Sequence, residues 1–416
     1  MSKSRSFWIP VICGAIILTI GSGARQSFGI FQRPIAEDLH VGREVWSFAN
    51  AMAQLLMGVV SPFVGNLADR FGTARTVAAG GVVYVAGMLI FAMATCGAGL
   101  TFGNILAGLG LAAAGFGPIF GAVTRATPPA SRSVALGVAT SGGSFGQFLV
   151  VPLTSMLQQR FGDWHATMLA LTVVSAIMVP LAWGLREDRP RGGGAAGSPL
   201  PQGTGDALRE AFSTQGYWLL TIGFFVCGFH VTFIGLHLPS YIADTSIGMT
   251  FLGAPVSPIE LGGWAIGFVG LFNLAGSLIW GWLGGRHPRK DMLALLYGLR
   301  ALAFLLFLML PLSALSVLLF AASLGFLWLG TVPLTSGLVG YLFGPVHMSM
   351  LWGIVFLGHQ VGSFLGGWGA GRLYDIQGNY DLMWQVSIGL GVLAAVIHYA
   401  IREKPVRRLG VDAAAA

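Results

Sequence analysis

The chain has 416 residues, of which 55% are hydrophobic and only 9% charged, with mean hydropathy +0.74 and formal net charge +7. A soluble domain carries about a quarter charged residues, so this composition excludes a soluble monomer. The Lys and Arg residues lie in short clusters between apolar runs, a pattern of membrane topology that excludes a nucleic-acid surface.

The apolar runs are about 20 residues long and continuous rather than alternating, so they read as membrane-crossing helices. In chain order they fall near residues 8–32, 46–68, 76–96, 99–123, 134–157 and 164–185, then 217–242, 260–284, 292–311, 314–340, 348–371 and 381–401. The first run follows Lys3 and Arg5 without a small-residue cleavage site, so it reads as a retained helix and not a removed leader. Cys13, Cys96 and Cys227 all fall inside these runs at no metal-ligand spacing, and neither a disulfide framework, a metal site nor another cofactor is expected. The stretch from Arg186 to Gln215 is dominated by Gly, Pro and Ser and reads as a flexible linker. The expected organisation is an all-α membrane protein of two six-helix bundles, 1–188 and 216–405. A linker, 189–215, joins them, and a tail, 406–416, follows.

Charge fixes the expected orientation. With the N-terminus inside, seventeen Lys and Arg residues fall on the inner side and four on the outer (Arg33, Arg43, Arg160 and Arg372), while Arg25 and Arg300 stay within spans. Both termini are therefore expected on the cytoplasmic face of the cell (inner) membrane.

The two halves repeat one another. A shift of 216 carries Gly137, Gly142, Gly146 and Gly162 onto Gly353, Gly358, Gly362 and Gly378, and a shift of 215 carries Gly110, Gly115 and Pro118 onto Gly325, Gly330 and Pro333. A shift of 205 carries Gly23, Phe28 and Pro34 onto Gly228, Phe233 and Pro239. Repeated halves are the build of many secondary transporters, with the substrate site at mid-depth between them.

After the second run, Gly65-Asn-Leu-Ala-Asp69-Arg70-Phe-Gly72-Thr-Ala-Arg75 resembles the major-facilitator loop motif GxxxDRxGxxR, and a partial copy, Gly281 to Arg286, follows the eighth. Three further stretches are similar to the monocarboxylate-porter branch and its bacterial relatives: Ala24–Phe31, Arg132–Gly146, and Gly371–Asp375 with Gly378 and Tyr380. The resemblance implies the major-facilitator fold, with twelve transmembrane helices in two pseudo-symmetric bundles, and transport of a small organic anion by symport or antiport. This sequence departs from the branch in span eight, where Asn273 and Ser277 stand in place of an acid-or-amide and arginine pair that would hold a carboxylate. Asn104 in span four and SGGSFG in span five also depart from the drug-antiporter pattern.

A charge inside a bilayer costs at least ~2.5 kcal/mol, so each embedded one is a functional candidate. The embedded ionisable residues are Arg25, His230, His237, Arg300 and His359, with no acid near mid-span. The 205 shift pairs Arg25 with His230, and the resemblance puts both on cavity-lining helices, so they are expected to face one another across the cavity. A guanidinium gives a carboxylate two parallel hydrogen bonds, and an imidazole adds a switchable charge. His359 and Gln360 in span eleven, Gln54, Gln147 and Asn273 are further candidate ligands, as is Arg300 with Tyr297 one turn away. His237 is expected at the outer interface. Gly65, Asp69, Arg70, Arg75 and Arg125 form a candidate gate, in which Asp69 caps a helix and bonds a cation such as Arg125.

The expected function is thus alternating-access transport of a small organic anion, a monocarboxylate, with proton or anion coupling. A monomer in the lipid bilayer, acting without nucleic acid, is expected. Export of neutral or apolar compounds and solute sensing without transport are the competing readings. No carboxylate pair, nucleophile elbow or metal motif favours an enzyme.

Overall fold

A computed structural model describes residues 7–128, 132–186, 203–244, 249–251, 254–344 and 347–406, apart from a few side chains within helices. The first half comprises α1 (Trp8–Gln26), α2 (Phe28–Asp38), α3 (Arg43–Phe71), α4 (Thr73–Ala92), α5 (Gly97–Ala114), α6 (Phe116–Ala126) and α7 (Arg132–Phe161). It ends with α8 (Trp164–Ala176), α9 (Met178–Leu181) and a 3₁₀ turn, Ala182–Leu185. After α10 (Thr204–Phe212) the second half comprises α11 (Gln215–Ala243), a short hairpin of β1 (Met249–Phe251) and β2 (Ala254–Val256), and α12 (Pro258–Gly284). Then follow α13 (Arg289–Met309), α14 (Ala314–Phe326), α15 (Thr331–Phe343), α16 (Met348–Gln377) and α17 (Asp381–Tyr399).

Each of the twelve apolar runs is occupied by one helix or by helices stacked end to end. Among the described residues, ten of these segments are long and apolar enough to cross a membrane. The breaks follow the repeat: α5 passes to α6 at Gly115, and α14 passes to α15 across Leu327 to Gly330, which the 215 shift superimposes. The first run is broken at Ser27 between α1 and α2, whereas its mate α11 is continuous.

Small residues set the closest helix crossings. A Cβ on Gly29 of α2 would stand 2.5 Å from the Gly235 carbonyl oxygen of α11, so the two halves touch backbone to backbone there. Gly72 reverses the chain between α3 and α4 with φ +97°, a conformation that favours glycine, and this explains the motif's central glycine.

The stretch read as linker is not uniformly flexible. Within it α10 buries Ala207 and Ala211 on one face, and Ala211 joins a core cluster with Tyr217 and Leu220 of α11. Alanine is the strongest helix former and its small side chain packs tightly, which the Gly- and Pro-rich flank concealed.

Candidate functional site

The halves are bonded at one end of the molecule, the end at which α2 finishes and α3 begins. The Arg43 guanidinium donates to both Asp244 carboxylate oxygens, at 2.6 and 2.8 Å, and to the Tyr380 hydroxyl at 2.9 Å, with its plane 3.7 Å from the Tyr374 ring centre. Asp375 of α16 accepts from the backbone N–H groups of Arg43 and Glu44, so an acid of the second half caps the N-terminus of a helix of the first. Gly42 precedes that helix because a side chain there would collide with the Asp375 carboxylate. Glu44 accepts from Arg372 at 2.7 Å and from Trp368 Nε1 at 3.0 Å. The Arg372 hydrogen bond holds the Glu44 carboxyl below the usual carboxylate range. Arg43 and Arg372, used in the sequence only for orientation, thus form a clasp. The span-eleven stretch Gly371–Asp375 with Tyr380 supplies its partners.

Beneath the clasp lies a buried layer of neutral groups. His237 Nε2 donates to the Gly367 carbonyl at 2.9 Å, and its Nδ1 lies 3.1 Å from both Gln32 Nε2 and the Tyr380 hydroxyl. The ring is fully buried, between the halves rather than at a lipid interface. Deeper still, Gln360 Nε2 donates to the Gln54 carbonyl at 2.7 Å, and Asn273 Nδ2 donates to Ser144 Oγ at 2.9 Å.

At this depth a hollow of about 620 Å³, including its open mouth, lies between α1–α5 and α11. Arg25, Tyr84, Asn104, Asn50, Gln54 and Thr232 are its polar lining, with Gln26 beside them. Among the described residues the Arg25 guanidinium has no ion-pair or hydrogen-bond partner, and Arg25 is partly accessible. The Tyr84 hydroxyl and Thr232 Oγ1 are buried and likewise without a partner. The Arg25 guanidinium is therefore the unpaired charge at the hollow, with two buried hydroxyls on residues of its lining, and among the described residues no Asp or Glu lines it.

The candidates separate into three groups. Arg25 and Gln54 line the hollow. Gln360, Asn273 and Gln147 lie buried at the contact between halves: Gln360 packs on Gly58, Gln147 packs on Gly270, and Asn273 also accepts from the Leu329 N–H. The polar atoms of Gln360 and Asn273 tie helices together, whereas the Gln147 Nε2 is buried without a hydrogen-bond partner.

The remaining candidates lie within the second half. His230 does not face Arg25: it is fully buried, its Nε2 donates to the Ser387 carbonyl, and its ring packs on Phe304. The repeat explains this. Arg25 and His230 point alike into their own bundles, toward positions 84 and 300, which the 216 shift superimposes. Residues facing Arg25 from the second half are instead Val231, Thr232, Gly235 and Leu236. Arg300 is fully buried away from the hollow and donates to the Leu327 and Trp328 carbonyls, satisfying the break between α14 and α15, and it lies over the Tyr297 ring. Tyr297 stacks on His398. His359 bonds Gln360 Oε1 through Nδ1 and stacks on Phe356.

The side chains of Gly65, Asp69 and Arg70 lie outside the described set. Arg75 is exposed, and Arg125 donates to Thr73 Oγ1 at 2.7 Å, tying α6 to the start of α4. Sequence reasoning missed Asn50, Tyr84 and Thr232. Asn50 and Gln54 are spaced i and i+4, one helix face, which was a usable signal.

Comparison with known proteins agrees with this architecture. Residues 11–263 match the Major Facilitator Superfamily, and the chain belongs to that family. It is 25% identical over 420 residues to the MFS-type transporter YcxA of Bacillus subtilis, covering 95% of each chain. It is 23% identical to the oxalate:formate antiporter of Oxalobacter formigenes, over 97% of this chain and 92% of that one. It is 26% identical to monocarboxylate transporter 13 of Rattus norvegicus, over 94% and 89%. Among solved structures, the fold resembles an inward-facing bacterial homolog of the lysosomal transporter Spinster, at TM-score 0.77, 14% identity and coverage of 96% and 97%. It also resembles a D-xylose–proton symporter, at TM-score 0.72, 13% identity and coverage of 97% and 100%.

Proposed function

We propose that this transporter moves a small organic anion, a monocarboxylate, by alternating access of bundles 1–188 and 216–405, coupled to a proton or a counter-anion. The observation that carries the reading is the Arg25 guanidinium, without an acid beside it, in a hollow where the Tyr84 and Thr232 hydroxyls also lack partners. A carboxylate supplies the missing charge and acceptor oxygens at once, since a guanidinium binds it through two parallel hydrogen bonds. The names of the oxalate:formate and monocarboxylate relatives support the same substrate class.

The bias of Lys and Arg toward one face orients the clasp to the outside and both termini to the cytoplasm. The bonds between halves described above lie between the clasp and mid-depth, which supports reading this state as closed on the clasp side. Gly65, Asp69, Arg70, Arg75 and Arg125 form the opposing cytoplasmic gate. Uptake of labelled monocarboxylates, dicarboxylates and neutral solutes into proteoliposomes tests the assignment. Carboxylate uptake that vanishes in Arg25→Gln supports it, and equal uptake of neutral solutes, unaffected by that change, overturns it.

A further inference from the structure

Among the buried histidines of the described residues that the mechanism above leaves without a role, His237 is the one whose hydrogen bonds join the two halves. We infer that His237 is a proton-binding site of the carrier, closed to protons when the outer clasp is shut and filled when the clasp parts. The inference rests on alternating access and not on the identity of the transported anion.

The hydrogen bonds fix the closed form. The Gly367 carbonyl can only accept, so Nε2 carries a hydrogen, and in the neutral ring Nδ1 is then an acceptor. It receives the amide of Gln32, which belongs to the other half and whose second hydrogen is held by Ser47 Oγ at 3.0 Å. The neutral imidazole is thus a tie between the halves. Adding a proton to Nδ1 places a donor against the Gln32 amide. The Tyr380 hydroxyl, or the Gln32 amide turned over, would accept the new hydrogen, but a full positive charge would be left without water and linked through that hydroxyl to the Arg43 guanidinium.

The charged and titratable surroundings do not support that charge. On its own helix the nearest such groups are Tyr241 and, at the end, Asp244, which is taken up by Arg43. From α3 comes Arg43, linked to the ring through the Tyr380 hydroxyl, and from α16 Tyr374, whose ring packs at a tilt against Tyr380. Asp375 is occupied by the α3 N-terminus, and Glu44 by Arg372 and Trp368. From α2, Gln32 touches the ring, while Arg33 pairs with Glu37 and donates to the Ala243 carbonyl at the end of α11. Among the described residues no carboxylate contacts the ring, so a buried imidazolium there is unpaired, and such a charge is expelled or the structure opens. When the halves separate, the ring meets water and takes a proton near its ordinary pKa of about 6.5. Protons and closure therefore compete. Acid outside favours the outward-open state, and closure requires the proton to leave Nδ1 for water or for the bound anion.

The test reads the outer distance directly on the purified full chain in nanodiscs. Spin labels at Glu37→Cys and Gln377→Cys, on opposite halves and exposed, report the opening, with Cys13 and Cys96 replaced by Ala. One proton lost on closure changes the open-to-closed ratio about tenfold between about pH 8 and about pH 5.5. His237→Gln and His237→Asn, either of which serves if the other fails to fold, should abolish this step. Glu44→Gln should keep it, because the Glu44 carboxyl is already ionised throughout this range. A tenfold step that survives in a folded His237 variant, or no step in the unsubstituted protein, overturns the inference. Arg25→Gln, carried alongside, should lose anion uptake yet keep the pH step, so failure of the anion assignment is read separately.

Discussion

The two halves place an arginine on opposite sides of the same internal contact. In the first half the cation is Arg25 on α1, beside Tyr84 of α4. In the second, the equivalent places hold His230 on α11 and Arg300 on α13. Arg300 meets two carbonyls, a thiol and a tyrosine ring, and the space around it is filled. Arg25 meets a hollow. A buried charge is stable when the protein satisfies it, and it becomes a binding group when the protein leaves part of that satisfaction to a ligand. On the proposed reading, the repeat is divided into a half that binds and a half that is packed.

Substitution breaks this comparison at its strongest point first. Arg25→Gln should lower carboxylate uptake by about 100-fold or more, since hydrogen bonds to a charged group contribute about 1.5–3 kcal/mol each and two are lost. Its melting temperature should hold. Arg25→Lys should recover little, because a point charge lacks the paired geometry. Arg300→Met should do the reverse. Leaving buried carbonyls unsatisfied at the α14–α15 break should cost about 3 kcal/mol of stability, seen as a lower melting temperature, while uptake per folded molecule stays near normal.

Tyrosines sharpen the contrast at smaller amplitude. Both Tyr84 and Tyr297 bury a hydroxyl without a hydrogen-bond partner, but only Tyr84 lines the hollow. Tyr84→Phe should weaken carboxylate affinity about tenfold, measured as apparent KM, for the loss of one bond to a charged group. Tyr297→Phe should leave uptake unchanged and alter stability by less than about 1 kcal/mol. Asp69→Asn at the proposed cytoplasmic gate should slow turnover several-fold without loss of surface expression, in keeping with a cap worth about 1 kcal/mol.

The smallest effect separates the clasp from both arginine sites. The Glu44 carboxyl lies below its usual range in the closed state, so its contribution to closure is complete above the ordinary carboxylate pKa and is lost as pH falls through the depressed one. Glu44→Gln should therefore loosen the outer end slightly at neutral pH, read by spin-label distances, and should remove the response of that distance to strong acid.

The architecture was legible because bilayer physics leaves few choices. Twenty-residue apolar runs located the helical segments, but the breaks at Gly115 and at Leu327 to Gly330 lie inside runs read as continuous, although the 215 shift already matched Gly115 with Gly330. Arg25 was legible as an embedded cation. Its surroundings were not, because a sequence shift reports equivalence within each bundle and not contact across the two: it paired Arg25 with His230 correctly as positions and wrongly as neighbours. The clasp was hidden for a related reason. Arg43, Asp244, Asp375 and Tyr380 are brought together only by the approach of the two halves, and each alone reads as an interfacial residue at a helix end.

The short helix α10 has a bearing on how the molecule can be divided. Its Ala211 is seated in the core cluster of the second bundle, so residues 204–214 travel with that bundle as an extension of α11. A chain severed between residues 187 and 203 would leave each fragment with its own complement of packed helices, whereas a cut at 213 would strip an apolar face from the second fragment. Co-expression of two polypeptides parted before Thr204 is accordingly the natural way to ask whether the bundles fold independently and find each other in the membrane.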